Sequence, residues 1–179
     1  MSRTRAALAA ITLSLAWSLA SLALSGCLAG ALLPEKEPPQ PTAPSMPDAA
    51  ADRSDEGAEA FARHYLAVGD YALRTGDVTA LQVLAADSCR ECSRIAFVIG
   101  ASHQVGSVQG GERTVEQVRA MPTSEGADWS GRIAGHTEPS VLRADNGEDQ
   151  HYDGGPFAKQ IDLTWTGDGW VVSNDQTIG

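Results

Sequence analysis

Helical and strand periodicities occupy separate parts of this chain, and that separation constrains its fold more than any other feature. Phe61, Tyr65, Val68 and Ala72 recur at helical spacing, with Ala58, Ala62 and Leu66 beside them. Asp55 and Glu56 put negative charge where a helix dipole favours it, and Gly76 supplies a stop. Asp77 is placed to cap a short second helix carrying Leu81, Leu84 and Ala85 on one face. Ser88-Cys89-Arg90-Glu91 fits the capping box of a third helix, whose apolar stripe is Cys92, Ile95, Ala96 and Ile99. The glycines of Gly106 to Gly111 then read as a turn, and Val115 and Val118 suit either period. From Trp129 onward the pattern alternates, with Trp129, Gly131 and Ile133 separated by polar neighbours. Phe157, Ile161, Leu163 and Trp165 fall on one side, and Ala158, Asp162 and Thr164 on the other. Thr166-Gly167-Asp168-Gly169 is a turn signal that returns the chain as Trp170-Val171-Val172, a closing hairpin. Helices first and strands after predict an α+β domain, with three helices packed on one face of an antiparallel sheet.

Upstream of the domain the composition changes. Between Leu33 and Arg53 lie Pro34, Pro38, Pro39, Pro41, Pro44 and Pro47, and the apolar residues are mostly Ala. Such a stretch favours extended backbone and buries too little to fold, so it reads as a tether. Before it, Arg3 and Arg5 precede an uncharged apolar run from Ala6 to Leu24, the layout of a secretory signal. The run closes on Leu24-Ser25-Gly26-Cys27, which resembles the lipobox of bacterial lipoproteins. That resemblance implies removal of residues 1–26 and lipidation of the Cys27 thiol. An uncleaved span of the same apolar run is the competing reading. Both readings put the remainder outside the cytoplasm. The expected organisation is a signal peptide at 1–26, a Pro/Ala-rich tether at 27–53 and one domain at 54–179.

The whole chain carries a formal charge of −10. The leader holds two of the 13 basic residues and none of the 23 acidic ones, so the mature chain is more acidic still. This balance excludes a nucleic-acid binder, which needs a basic face to neutralise phosphates. It also excludes electrostatic docking on anionic lipid, so membrane attachment falls to the lipid on Cys27.

Particular segments resemble a known family. Glu56-Gly57-Ala58-Glu59-Ala60-Phe61, Tyr71 to Asp77, Cys89-Arg90-Glu91-Cys92 and Gly167-Asp168-Gly169-Trp170 resemble an uncharacterised actinobacterial lipoprotein family, domain of unknown function 6318. The order of three helices and a terminal hairpin is similar to the cystatin-like or nuclear-transport-factor-2-like fold. The resemblance implies a curved sheet, a location at the outer leaflet of the bacterial cytoplasmic membrane and no assigned activity. By analogy with that fold a homodimer is expected.

With Cys27 lipidated, Cys89 and Cys92 remain. An even pair in an oxidising space suggests a disulfide, and i,i+3 positions on a helix bring the two within reach. Thiol-disulfide exchange is the sharper alternative, because a helix N-terminus lowers a thiol pKa. A metal site would need two more ligands at recognisable spacing, and none follow.

The sequence contains no GxSxG, HExxH, phosphate-loop or GxGxxG motif, and it points to no cofactor. The resemblance implies a pocket between helix and sheet where an Asp, His or Tyr moves protons. The candidates are Tyr65, Tyr71, His103 and Asp162. Tyr65 lies on the apolar stripe and fits core packing equally well, and His64 beside it reads as solvated. Asp145, Glu148, Asp149 and Asp153 lack the repeat of a calcium loop and read as a solvated acidic turn. The leading expectation is a non-catalytic lipoprotein domain that binds an envelope protein or small ligand. The alternative is a pocket enzyme of isomerase or hydratase type, which requires His103 or Asp162 to face a cavity.

Overall fold

The computed structural model describes residues 41–178. The leader, Cys27 and the first part of the expected tether lie outside the described residues. A 3-10 turn at Asp48–Ala51 leads into α1 (Asp55–Thr75), α2 (Thr79–Val83) and α3 (Arg90–Gln104). Seven strands follow: β1 (Gly106–Gly110), β2 (Arg113–Ala120), β3 (Trp129–Thr137), β4 (Ser140–Ala144), β5 (Gln150–Tyr152), β6 (Gly155–Trp165) and β7 (Trp170–Thr177). Strands β2-β3-β6-β7 form one antiparallel sheet and β1-β4-β5 a second. The α+β class expected from the order of periodicities is the one observed.

The helix ends follow local chemistry. The Ser54 hydroxyl accepts from the Gly57 amide at 3.1 Å and opens α1. Gly76, with φ of 77°, closes it in the left-handed region that a side chain disfavours. The Asp77 carboxylate accepts from the Thr79 amide at 3.0 Å, although the N-cap position of α2 falls to Val78 and not to Asp77. The third cap differs from expectation. Ser88 does not head a capping box; Cys89 is the N-cap, and its Sγ accepts from the Cys92 amide at 3.3 Å. Cys89 and Cys92 are joined by a disulfide, with Cα atoms 5.3 Å apart. The bond holds Cys89 in the cap position, and Glu91 is left to pair with Arg94.

Two other expectations need correction. Gly106 to Gly111 is not simply a turn. Gly106–Gly110 pairs with β4 in register from Gly106↔Ala144 to Gly110↔Ser140. Only Gly110 and Gly111, at φ of 77° and 84°, make the bend into β2. A Cβ on Gly110 would lie 2.3 Å from the Pro139 carbonyl, so glycine is needed where these segments cross. The chain also bends between β3 and β4 at Glu138-Pro139, and the Gly111 amide donates to the Pro139 carbonyl at 3.2 Å. The tether, in turn, ends earlier than Arg53. Ala50 is buried in the core, and the Trp170 indole donates to the Asp52 carbonyl at 2.9 Å. The packed chain therefore begins upstream of Ser54.

The helices cover one face of the four-stranded sheet. Phe61, Leu66 and Val68 of α1 and Ile99 of α3 meet Ile133, Ile161, Leu163 and Val172 of the strands. The segment after α2 covers the open edge of β7. The Val172 amide donates to Leu84 at 2.9 Å, and the Ala86 amide donates to Val172 at 2.9 Å.

Two bulges decide which side chains face the helices. Along β2 the pairing steps from Val115↔Gly135 to Gln117↔Ala134, so Glu116 is an extra residue. That extra residue puts Val115 and Val118 on one face three positions apart, which is why they suit either period. Along β7 the pairing steps from Leu163↔Val172 to Asp162↔Asn174, so Ser173 is extra. Simple alternation from Val172 would turn Asp175 outward. The bulge at Ser173 turns it inward, opposite Ile161.

Candidate ligand-binding pocket

A half-open cavity of about 250 Å³ lies between the helices and the inner face of the sheet. Leu73, Leu81, Ile95 and Ile99 give it an apolar wall. Its polar side is built from two ion pairs drawn from distant parts of the chain.

The first pair joins α1 to β2. Arg113 Nε donates to Asp70 Oδ1 at 2.6 Å, and the Arg113 backbone amide donates to Oδ2 at 3.2 Å. Arg113 Nη2 also donates to the Leu66 carbonyl at 2.9 Å, so the guanidinium lies flat along α1. It can do so because residue 69 is glycine. Burial pushes the Asp70 carboxyl above its ordinary value, and the Arg113 charge and bonds draw it only part of the way back.

The second pair spans the β6–β7 hairpin. Lys159 Nζ donates to Asp175 Oδ1 at 2.5 Å, and the Tyr65 hydroxyl donates to Asp175 Oδ2 at 3.2 Å. Asp175 is only 1% exposed. Burial first, and then the Asp175 charge, raise the Tyr65 hydroxyl far above its ordinary range and keep it protonated. Tyr65, Arg113, Lys159 and Asp175 all line the cavity.

The sequence candidates distribute differently from expectation. Tyr65 alone reaches the pocket. Tyr71 is buried, and its hydroxyl donates to Asp77 at 3.3 Å outside the pocket. His103 Nε2 meets the Leu73 carbonyl at 2.8 Å and closes the end of α1 rather than lining the cavity. Asp162 is buried on the face of the sheet away from the helices. It accepts from Ser124 Oγ at 3.1 Å, Gln160 Nε2 at 3.1 Å and Asn174 Nδ2 at 3.0 Å. Burial pushes its carboxyl up, but hydrogen bonds from Ser130, Gln160, Asn174 and Ser124 outweigh this and hold it below the ordinary range. That is a structural carboxylate, saturated with donors and held ionised. His64 is buried rather than solvated, and burial lowers its pKa.

The acidic turn between β4 and β5 is exposed. There Asp149 pairs with Arg143, and the Asn146 side chain accepts from the Glu148 amide at 3.0 Å. Among the described residues no three His, Cys, Asp or Glu side chains gather to hold a metal ion.

Sequence reasoning missed Arg113, Lys159, Asp70 and Asp175. A signal existed for one of them. Lys159 is the only lysine after the tether, and it takes an inward position between Phe157 and Ile161 in an otherwise apolar alternation. The other three carried no local mark.

These features define a small α+β domain with a pocket between its helix layer and its sheet. The chain belongs to the family of unknown function DUF6318, whose profile matches residues 34–176. Among solved structures it is similar to the intermembrane space region of the chloroplast protein ARC6, at 12% identity and a TM-score of 0.54. That match covers 72% of this chain and 99% of the other. It is also similar to an NTF2-like protein with a cystatin-like fold from Novosphingobium aromaticivorans, at 16% identity, covering 68% and 80% of the two chains with a TM-score of 0.42. A third similar structure is the beta subunit of the benzoate 1,2-dioxygenase from Burkholderia mallei, at 8% identity, 69% and 89% coverage and a TM-score of 0.44. No curated protein matches the sequence.

Proposed function

We propose that this chain is a lipoprotein of the bacterial cell envelope, held at the outer leaflet of the cytoplasmic membrane by lipid on Cys27, and that its domain binds a small ligand without transforming it. The leader and the Leu24-Ser25-Gly26-Cys27 motif support the anchoring. The observation that carries the binding role is the state of the charged groups at the pocket. Asp70 and Asp175 each have both oxygens engaged, Tyr65 is held as a phenol, and the carboxylate and imidazole expected to move protons lie elsewhere. A pocket with an apolar wall and a few fixed polar groups suits recognition, and its groups are not poised as a general base.

Native mass spectrometry of the full chain from an exporting bacterial host tests the binding role. A mass increment lost on denaturation is expected. Equal native and denatured masses would turn the reading toward recognition through the surface. Conversion of the retained molecule on incubation would replace the binder with the enzyme. A membrane-bound wild-type chain whose intact mass retains residues 1–26 and carries no lipid on Cys27 would overturn the lipid anchor.

A further inference from the structure

The cations at the pocket hold N–H groups that their carboxylate partners do not use. Each oxygen of Asp70 and of Asp175 already accepts a bond. Donors are left over. Among the described residues the Lys159 ammonium, with three N–H groups, bonds to Asp175 alone, and Arg113 Nη1 has no partner. A ligand that brings acceptors meets these unspent donors. An amine would add a third cation beside Lys159 and Arg113, next to carboxylates whose charge those cations already balance.

Size and polarity narrow the class further. A dry cavity of about 150 Å³ holds benzene, so one of about 250 Å³ takes roughly ten non-hydrogen atoms. Leu73, Leu81, Ile95 and Ile99 require most of those atoms to be apolar. The two carboxylates of the site are already bound to cations, so each pair is neutral and a further anion meets unspent donors instead of bare negative charge. A carboxylate carries two acceptor oxygens and can meet Arg113 Nη1 with one and Lys159 with the other, which a single hydroxyl does less well.

On the reading of this cavity as a ligand site, we infer that it takes a compact apolar monocarboxylate, its carboxylate at Arg113 and Lys159 and its apolar body against Leu73, Leu81, Ile95 and Ile99.

The test uses the full exported chain in nanodiscs, titrated calorimetrically with octanoate, 1-octanol and octylamine against empty nanodiscs. Octanoate should bind about tenfold or more tightly than octanol, the worth of a charge-assisted hydrogen bond, and octylamine should not bind. The paired substitution Lys159→Met with Asp175→Asn avoids stranding a buried carboxylate. It should cut the preference for octanoate by at least about threefold, Arg113 remaining in place, while octanol affinity stays within about twofold. Equal affinity for octanoate and octanol, or tighter binding of octylamine, would overturn the carboxylate assignment and leave the pocket standing. Absence of binding by all three, together with no retained mass in the native protein, would overturn both.

Discussion

Arg113 Nη2 occupies the space a side chain at residue 69 would need: a Cβ built on Gly69 would lie 2.7 Å from it. The glycine and the arginine are far apart in the chain, yet each explains the other. Gly69→Ala should gain about 1 kcal/mol of helix propensity. It should lose the Nη2 bond to Leu66, worth about 1.5–3 kcal/mol when the donor is charged. Net stability should therefore fall by about 0.5–2 kcal/mol in urea unfolding. The guanidinium, however, should shift, and ligand affinity should fall with it. A large loss of stability with unchanged affinity would contradict this account.

Breaking the pair itself should cost more. Arg113→Met strands Asp70, whose carboxyl burial already disfavours as an anion. A fully buried orphan charge costs about 3–5 kcal/mol. Both partners are partly exposed, at 19% and 11%, so about 2–3 kcal/mol is expected after screening. Arg113→Met with Asp70→Leu should recover most of that loss. A double-mutant cycle by chemical denaturation measures the coupling.

The Cys89–Cys92 disulfide closes a very short loop, so its removal should cost modestly, about 2 kcal/mol. Cys89 also caps α3 through Sγ, and Ser can serve as a cap. Cys89→Ser with Cys92→Ala should therefore lose less stability than Cys89→Ala with Cys92→Ala. Thermal unfolding of the two variants should separate them by about 1 kcal/mol.

His64 should make stability fall on mild acidification. Burial lowers its folded-state pKa from 6.5, so the fold prefers the neutral ring. Above 6.5 neither state is protonated, and the histidine has no effect on the balance. Below it the unfolded chain takes up a proton that the folded chain resists, and stability drops until pH passes the folded value. Between about pH 7.5 and about pH 5, urea midpoints of the wild type should fall more than those of His64→Gln. Equal slopes would show that the ring titrates freely in the fold.

Much of the architecture is legible in the sequence, because its signals are local. The Ser54 cap, the Gly76 stop, the α1 stripe and the closing hairpin each follow from interactions between residues a few positions apart. Other local signals mislead. Ser88 reads as the cap of α3, and Cys89, joined to Cys92, takes that place. Gly106 to Gly110 has the composition of a turn, and it becomes a strand because β4 supplies partners for its backbone.

By itself the sequence determined the succession of helices and then strands, both ends of α1 and the inward side of β6. It did not determine the polar side of the pocket. Arg113 meets Asp70 across 43 residues, and no spacing rule encodes that distance. Asp175 faces inward only because one extra residue at Ser173 reverses the alternation, a change visible in the pairing of β6 with β7 and not in β7 alone. Side-chain period and capping are set by the chain's own geometry. Which charges meet is set by which strands adjoin and in what register, and that is decided only when the sheet closes on the helices.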